Sequence, residues 1–365
     1  MIEDLEAFRG TMLVWSALGG GVISLPYLEN EAFGRVDPRL RFYGYMNDAE
    51  FIAECDKRGI KVFGIVFEVQ GWEFPAEFSA DESELLGLNI TRGVGKPGWY
   101  GLREFSQNRY PKLFPKKWHD YFPEGLYNSE GKEVEDLWEE CATRDFNGKP
   151  CHAAWVEVKG ENQICYQMCR NNPVWRIYLK KIIEIQIDAG VHGVELDECE
   201  LPITSIGYGG CFCKDCMKQF REYLKELREA GILPTGLNEY FMFQMKAITK
   251  YFAELCDYVK EYGKRSGREV LVSGNFFNLL PQYMPLEPKV DIVITEMRQN
   301  LYKQANWYRY AAGFAREKPL IVVENPYGGI IPELLELIKE GKGYDLFRLF
   351  LLEAAAFGCN MAVPY

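Results

Sequence analysis

Short apolar runs alternate with amphipathic stretches along most of the chain. Each run is apolar through its length, which is typical of strands that are buried on both faces of a parallel sheet. The runs predict eight strands: Met12–Ser16, Lys61–Val69, Ile164–Met168, Val191–Glu198, Glu269–Asn275, Asp291–Glu296, Pro319–Asn325 and Asn360–Pro364.

The amphipathic stretches between these runs predict helices. Asn172 is the expected N-cap of the helix that follows the third strand, because Pro173 suits the first helical position. The predicted helices are Asp48–Lys57, Pro173–Asp188, Asp215–Ala230, Asn238–Arg265 and Tyr344–Phe357.

Eight strands in a βα rhythm predict a (β/α)8 TIM barrel, formed as a single domain over residues 1–365. A doubly wound open sheet is the alternative fold. No convincing glycine-rich fingerprint follows the first strand, since Gly19–Gly21 is only a weak match to one. The closed barrel is therefore the favoured architecture.

A long insertion, Gln70–Gln163, separates the second and third predicted strands. Long βα-loops in a barrel usually build the active face, so we expect residues 70–163 to cover the C-terminal strand ends as a lid. Trp72, Trp99 or Trp155 would then line the pocket wall. The sequence ends at Tyr365, directly after the eighth strand, so either the N-terminal segment covers the position of the last helix or the chain is a fragment; we favour the fragment.

Composition narrows the class of protein. Hydrophobic residues make up 47% and charged residues 26% of the 365 residues, as in soluble globular proteins. The net charge of −11 argues against nucleic acid or an anionic membrane as a partner. The N-terminus lacks a signal-peptide pattern and no apolar run is long enough to span a bilayer, so we expect a cytoplasmic location. The sequence leaves open whether the chain forms a homo-oligomer.

The most specific motif is CFCKDC, which places three cysteines at Cys211, Cys213 and Cys216. In a reducing compartment such a cluster favours metal binding over disulfides, and structural Zn²⁺ takes four ligands. Cys169, at the end of the third predicted strand, is the candidate fourth ligand because neighbouring strand ends lie close together. The competing thiols are Cys151, Cys165 and Cys199.

The segments MCRNNPVWRIYL and CFCKDCMKQFREYL resemble the family 42 β-galactosidases, and this resemblance covers about Ile164–Leu224. It implies a glycoside hydrolase barrel in which a cysteine before the third helix joins a C-x-C-x-x-C group to hold structural zinc. It also implies that Glu198, at the end of the fourth strand, is the acid/base residue. The chain departs from the family pattern at Asp197, where the family has an asparagine that contacts the sugar 2-hydroxyl.

Carboxylates end three of the predicted strands: Asp197 and Glu198, Glu296, and Glu324. Glycoside hydrolysis needs two such groups, one to protonate the leaving oxygen and one to attack or to activate water. The resemblance implies a retaining mechanism with Glu198 as acid/base and Glu324 as nucleophile. The further candidate sugar contacts are Asp197, Glu296, Arg298, Asn275, Trp15 and Tyr327.

Two other functions fit the same residues. An α-glycosidase-type barrel would use Asp197 as nucleophile and Glu296 as acid/base. A barrel that binds sugar without cleaving it is the third interpretation. No organic cofactor is expected, and a metal-dependent hydrolase is disfavoured because His119, His152 and His192 are not spaced as ligands.

Overall fold

The structure is a computed structural model. It describes residues 2–15, 48–67, 70–87, 95–114, 116–152, 165–197, 211–234, 236–277, 279–297, 304–324, 339–342 and 344–362.

Twelve strands lie in these ranges and form three sheets. In chain order the strands are β1 (Met12–Trp15), β2 (Lys61–Phe67), β3 (Gln70–Trp72), β4 (Phe74–Phe78), β5 (Leu85–Gly87), β6 (Lys96–Tyr100), β7 (Cys165–Gln167), β8 (Gly193–Asp197), β9 (Leu271–Asn275), β10 (Ile292–Met297), β11 (Leu320–Glu324) and β12 (Asn360–Ala362). The main sheet has seven parallel strands in the order β1-β2-β8-β9-β10-β11-β12.

Because the spatial order of the main sheet follows the chain, all its strands end at the same edge. The sheet curls as part of a barrel, with β1 and β12 at its two sides. In the described part of the chain no hydrogen-bonded ladder joins these two strands. The α/β class and seven of the eight predicted strands are thus confirmed.

The position predicted for the third strand was wrong, because this strand does not belong to the main sheet. Cys165–Gln167 is extended, but it pairs antiparallel with β3, and β2 pairs directly with β8 in the main sheet. A run of three residues carries no information about strand direction. Its partner comes from the start of the insertion, which the sequence pattern treated as loop.

Ten α-helices lie in the described ranges, and several of them contact strands of the main sheet. Their bounds are α1 (Ile2–Ala7), α2 (Asp48–Asp56), α3 (Leu102–Ser106), α4 (Trp118–Tyr121), α5 (Leu137–Cys141), α6 (Pro173–Ala189), α7 (Lys214–Glu229), α8 (Leu237–Arg265), α9 (Ala305–Ala315) and α10 (Tyr344–Ala356), with a 3₁₀ helix at Pro281–Lys289. All five predicted helices are present, with ends displaced by no more than one residue. Helices α1 and α9, the 3₁₀ helix and the short helices of the insertion were not predicted.

Asn172 caps α6 as expected. Its side-chain oxygen accepts hydrogen bonds from the backbone N–H groups of Val174 and Trp175, at 2.9 and 3.1 Å. The helix ends at Gly190, whose φ of 109° lies in the left-handed region that suits glycine. These two local signals explain why this helix could be predicted within one residue at each end.

Glycines show which face of the sheet meets the helices. A Cβ at Gly64 would lie 2.5 Å from the Gln186 side chain of α6, and a Cβ at Gly274 would lie 2.9 Å from Phe252 of α8. These two positions therefore face the helix layer. Since side chains alternate along a strand, Asp197 and Asn275 face the opposite, concave side.

The insertion contains an antiparallel sheet and a group of packed aromatic side chains. Strands β4, β5 and β6 form an antiparallel sheet in which β4 is central. Trp118 packs on Phe105 and Phe122 within the insertion, and its ring is stacked 6.4 Å from Tyr178 of α6. One apolar cluster therefore runs from the insertion into the helix layer around the main sheet.

Among the described residues, no helix combines the length and the apolar composition needed to cross a bilayer.

The packing of β8 on β2 generates a test of this fold. A Cβ at Gly193 would lie 2.1 Å from the Phe63 ring, so Gly193→Ala should lower the free energy of unfolding by roughly 1–3 kcal/mol. Urea denaturation measures this change. The control is Gly313→Ala in α9, where no atom lies within 4 Å of the added methyl and the protein should gain up to about 1 kcal/mol. Equal effects of the two substitutions would contradict the described packing.

Candidate active site at the strand ends and a four-cysteine cluster

Three adjacent strands bring polar residues to one edge of the main sheet. β8 ends at Asp197, β9 ends at Asn275, and Glu296 is the penultimate residue of β10. Leu196 pairs with Gly274, and Asn275 pairs with Ile294, so the three polar side chains belong to the same concave face. Asp197 and Asn275 are buried, and Glu296 is half-buried.

The Asn275 amide links the two carboxylates. Its Nδ2 donates to Asp197 Oδ1 at 2.8 Å and to Glu296 Oε1 at 2.9 Å. The two carboxylate oxygens therefore cannot be further apart than the sum of these distances. This brings two carboxyl groups within reach of one small ligand.

A hydrogen bond to the side-chain oxygen of Asn275 fixes the orientation of its amide. Asn275 Oδ1 accepts a hydrogen bond from the backbone N–H of Phe277 at 3.0 Å. The Phe277 carbonyl in turn accepts from Glu296 N at 2.7 Å and from the Thr295 hydroxyl at 2.6 Å. With its oxygen occupied in this way, the amide must present its two N–H groups to the carboxylates.

Burial is the main influence on the charge of Glu296. It raises the pKa of this carboxyl above its ordinary value, and the hydrogen bond from Asn275 opposes part of that rise. A carboxyl with a raised pKa beside a second carboxylate is the arrangement that acid/base catalysis uses.

The other candidate residues at this edge fall partly outside the described residues. Glu198, Arg298 and Tyr327 lie outside them, as does Trp155 of the expected lid. Glu324 ends β11, and its backbone pairs with Met297. For Glu324 and Trp72 the structure describes the backbone alone. Trp99 lies in β6 and is half-buried.

Trp15 ends β1 and is tied to α2. Its Nε1 donates to Asp48 Oδ1 at 3.2 Å, and its ring centroid lies 5.1 Å from that of Phe51. Trp15 pairs with Gly64, which faces the helix layer. Its contact with a sugar stays a prediction.

Four buried cysteines meet at the start of α7. The Sγ atoms of Cys169, Cys211, Cys213 and Cys216 all lie within 4.8 Å of one another. Cys169 Sγ is 3.4 Å from Cys216 Sγ and 3.5 Å from Cys213 Sγ. The sequence predicted that these four residues would come together, and the structure confirms this grouping.

The arrangement suits a tetrahedral metal ion. Four sulfurs at the usual Zn–S distance of about 2.3 Å would be separated by about 3.8 Å, close to the spacing found here. The competing thiol Cys151 does not join the group, Cys199 lies outside the described residues, and only the backbone of Cys165 is described. The cluster could thus hold one ion with thiolate ligands alone.

Hydrogen-bond donors surround the sulfurs. Cys211 Sγ accepts from the backbone N–H groups of Arg144 and Cys213, each at 3.3 Å, and Cys216 Sγ accepts from Asn171 Nδ2 at 3.2 Å. Hydrogen bonds from the neighbouring thiols lower the pKa of Cys213. Such donors stabilise thiolate charge and orient metal ligands.

The cluster joins three parts of the chain. Arg144 belongs to the insertion, and its carbonyl also accepts from Phe212 N at 2.9 Å. From α8, Gln244 Nε2 donates to the Cys211 carbonyl at 3.3 Å, and the Tyr240 hydroxyl donates to the same carbonyl. The backbone donor at Arg144 gave no signal in the sequence, because any residue supplies an N–H group.

Glu73 was also missed from the sequence. This half-buried carboxyl lies between β3 and β4 in the segment GWEFP. Burial is the largest cause that raises its pKa, to about 8, followed by the nearby charge of Glu104. A single acidic residue flanked by two aromatic residues is the one sequence signal that could have indicated it.

Comparisons with known proteins show similarity to solved structures only. No protein-family model and no curated protein sequence matches the chain. A β-galactosidase from the Antarctic haloarchaeon Halorubrum lacusprofundi is 14% identical, with a TM-score of 0.49 over 89% of this chain and 44% of that chain. A β-galactosidase from the psychrophilic Marinomonas ef1 is 10% identical, with a TM-score of 0.45 over 89% of this chain and 46% of that chain.

The glycoside hydrolase domain of PelA from Pseudomonas aeruginosa is 11% identical, with a TM-score of 0.32 and 82% of each chain covered. The chain spans less than half the length of the two β-galactosidases. Identities and TM-scores this low do not establish a common activity.

The Asn275 link generates a test. Asn275→Ala removes a donor to the ionised form of Glu296, so the pKa of Glu296 should rise further. Carbon-13 NMR of labelled glutamate side chains follows this titration. The control is Asn360→Ala, which changes a strand asparagine that donates to Leu320 O at 3.4 Å in the same sheet. An unchanged Glu296 titration in Asn275→Ala would contradict the described hydrogen bond.

Proposed function

We propose that this chain is a glycoside hydrolase whose reaction takes place at the C-terminal edge of the main sheet. The observation that carries the proposal is the linked set Asp197–Asn275–Glu296, in which one amide holds two carboxylates within reach of a small ligand. Carboxylates at the C-terminal ends of barrel strands are the usual place for catalytic groups in this architecture. Glycosidic bonds are cleaved by such pairs of carboxyl groups.

In the proposed mechanism, Glu198 is the acid/base residue and Glu324 is the nucleophile. The proposal is supported by chain position, since Glu198 directly follows Asp197 in the sequence and the backbone of Glu324 pairs with Met297, one residue beyond Glu296. Glu198 would protonate the leaving oxygen while Glu324 attacks the anomeric carbon, which gives a covalent glycosyl-enzyme and net retention. Retention requires the two carboxyl groups to be about 5–5.5 Å apart.

The linked residues then bind the sugar. Asp197 and Glu296 would accept hydrogen bonds from its hydroxyl groups while Asn275 keeps both carboxylates in place. Arg298 and Tyr327 complete the proposed substrate site. The substrate is a carbohydrate.

A second candidate mechanism uses Asp197 as nucleophile and Glu296 as acid/base, as in an α-glycosidase-type barrel. The observation in its favour is the Asn275 amide, which brings these two groups together, combined with the raised pKa of Glu296. Under this mechanism Glu296 would hold the proton that the leaving group needs.

Four variants separate the two mechanisms. Glu198→Gln and Glu324→Gln should each lower kcat/KM for aryl glycosides by about 10²–10⁴ under the first mechanism, whereas Asp197→Asn and Glu296→Gln should do so under the second. Retained sugar affinity, measured by calorimetry, shows that the variants remain folded. The anomeric configuration of the product, read by proton NMR, gives an independent answer.

The control for these variants is Glu135→Gln, an exposed carboxyl of the insertion, which should leave turnover unchanged. If the wild type hydrolyses no aryl glycoside while sugars still bind, the chain is a sugar-binding barrel and the hydrolase proposal fails.

We also propose that the four-cysteine cluster holds a structural zinc ion. Four thiolate ligands leave no open coordination position, so the ion would supply stability rather than a reaction step. Thiolates must stay reduced to bind zinc, which favours a cytoplasmic location. We further propose that the whole chain forms a (β/α)8 barrel in one domain. Residues 70–163 would then cover the substrate.

The zinc proposal predicts about one zinc per chain in protein that is purified without added metal. Cys213→Ser should lose the ion and lower the melting temperature, because metal binding energy contributes to folding. The control is Cys55→Ser, which alters another buried thiol, in α2, and should keep the zinc. Metal analysis by mass spectrometry measures both, and zinc-free wild-type protein would contradict the proposal.

A further inference from the structure

A small cavity lies beside the four-cysteine cluster, between the insertion and the segment that leads into α6. Cys169 and Cys211 of the cluster line it, and so do Thr143 of the insertion and Asn171 of the segment before α6. Its volume is about 10 Å³, which is about the room that one water molecule needs. The cavity is therefore large enough for a single small ligand.

Two polar atoms of the lining residues have no hydrogen-bond partner in the described part of the chain. They are the hydroxyl oxygen of Thr143 and the amide oxygen of Asn171. Thr143 is fully buried and Asn171 is 3% exposed, so bulk solvent does not reach either atom. A buried hydroxyl or carbonyl without a hydrogen bond is costly, and both atoms line a cavity in which a ligand could bond to them.

The orientation of the Asn171 amide follows from its other contacts. Its Nδ2 donates to Cys216 Sγ at 3.2 Å and to Gln244 Oε1 at 3.3 Å. The reverse orientation would turn the amide oxygen toward the sulfur and toward a second carbonyl oxygen. Gln244 is itself held, because its Nε2 donates to the Cys211 carbonyl at 3.3 Å and to the Tyr240 hydroxyl at 3.1 Å. Asn171 Oδ1 therefore remains an acceptor that requires a donor from the cavity.

Cys169 supplies a third group to the same cavity. Cys211 Sγ and Cys216 Sγ accept hydrogen bonds from N–H groups. Cys169 Sγ instead contacts the sulfurs of Cys213 and Cys216, and within the described ranges no N–H or O–H group donates to it. Thiolates that share one divalent cation keep an excess of negative charge, so a donor to Cys169 Sγ would stabilise the cluster.

We infer that this cavity is the binding site of one structural water molecule, which links the insertion to the four-cysteine cluster. The water accepts a hydrogen bond from the Thr143 hydroxyl and donates its two protons to Asn171 Oδ1 and Cys169 Sγ. Three hydrogen bonds are the usual number for a buried water. The water itself requires only these three groups, whereas its effect on metal retention rests on the proposed zinc site.

The backbone holds the partners of this water in place. Thr143 N donates to Gln167 O at 2.7 Å, and Cys169 N donates to Cys141 O at 2.7 Å. Through the water, the insertion acts on the cluster at a second point, next to the backbone N–H of Arg144 that bonds to the cluster directly. A hydroxyl at position 143 thus becomes a positioning group for the cluster without touching a sulfur.

Thr143→Val tests the water by the sign of a stability change. Valine has almost the shape of threonine, but a methyl group replaces the hydroxyl. With a water bound, the substitution removes one of its three partners, and the melting temperature should fall by roughly 2–5 °C. Without a water, the substitution would remove a buried hydroxyl that has no partner, so a rise in melting temperature overturns the inference.

A high-resolution crystal structure of the full chain locates the water directly. One water is expected about 2.7–3.2 Å from Thr143 Oγ1 and from Asn171 Oδ1, and its density should be lost in Thr143→Val. A wild-type crystal without density at this position overturns the inference.

Zinc retention gives a separate readout, measured by competition with a chelator. Thr143→Val should bind zinc roughly tenfold more weakly than the wild type, because a group that orients a metal ligand has been lost. Thr143→Ser keeps the hydroxyl and should keep wild-type zinc affinity. The matched control is Thr249→Val, which removes a hydroxyl of α8 that donates to Met245 O at 2.9 Å and does not line the cavity.

Unchanged zinc affinity in Thr143→Val, or an equal loss in Thr249→Val, overturns the link between the water and the cluster. If the wild-type protein contains no zinc, the zinc proposal fails, and the crystal density and the melting temperatures still decide whether the water is bound.

Discussion

The candidate active site depends on how one asparagine divides its hydrogen bonds. A parallel sheet whose strands run in chain order forces Asp197 and Glu296 to the same edge, where burial makes two adjacent charges costly. The Asn275 amide offsets that cost by donating to both groups, while the backbone of Phe277 keeps it from rotating. Asn275 therefore orients the site as well as lining it.

A second constraint acts on the described residues on either side of residues 198–210. Asp197 accepts a hydrogen bond from Asn275, and Cys211 belongs to the four-cysteine cluster. The cluster is itself held from the insertion and from α8. Asp197 and Cys211 are thus each held by hydrogen bonds to other parts of the chain.

The elements that could be predicted from the sequence are those whose signals are local. Asn172 and Gly190 mark the ends of α6, and the spacing of Cys211, Cys213 and Cys216 indicates a shared centre that Cys169 completes. The pairing of β7 with β3 could not be predicted, because a short apolar run does not specify its partner or its direction.

The two hydrogen bonds that Asn275 donates could not be predicted either, since they join it to residues that are 78 and 21 positions away in the sequence. The raised pKa of Glu73 depends on burial and on the nearby charge of Glu104. Neither property exists until the tertiary structure forms.

The spacing of the four cysteines also orders events during synthesis. Cys169 leaves the ribosome 47 residues ahead of Cys216, and β8 lies between them. Closing a loop of that length costs roughly 3 kcal/mol in chain entropy before any sulfur contact forms. Helix α6 and strand β8 can meanwhile pack on β2, which shortens the effective loop. The nascent chain is therefore expected to build this half of the sheet first and to fasten it with the cysteines afterwards.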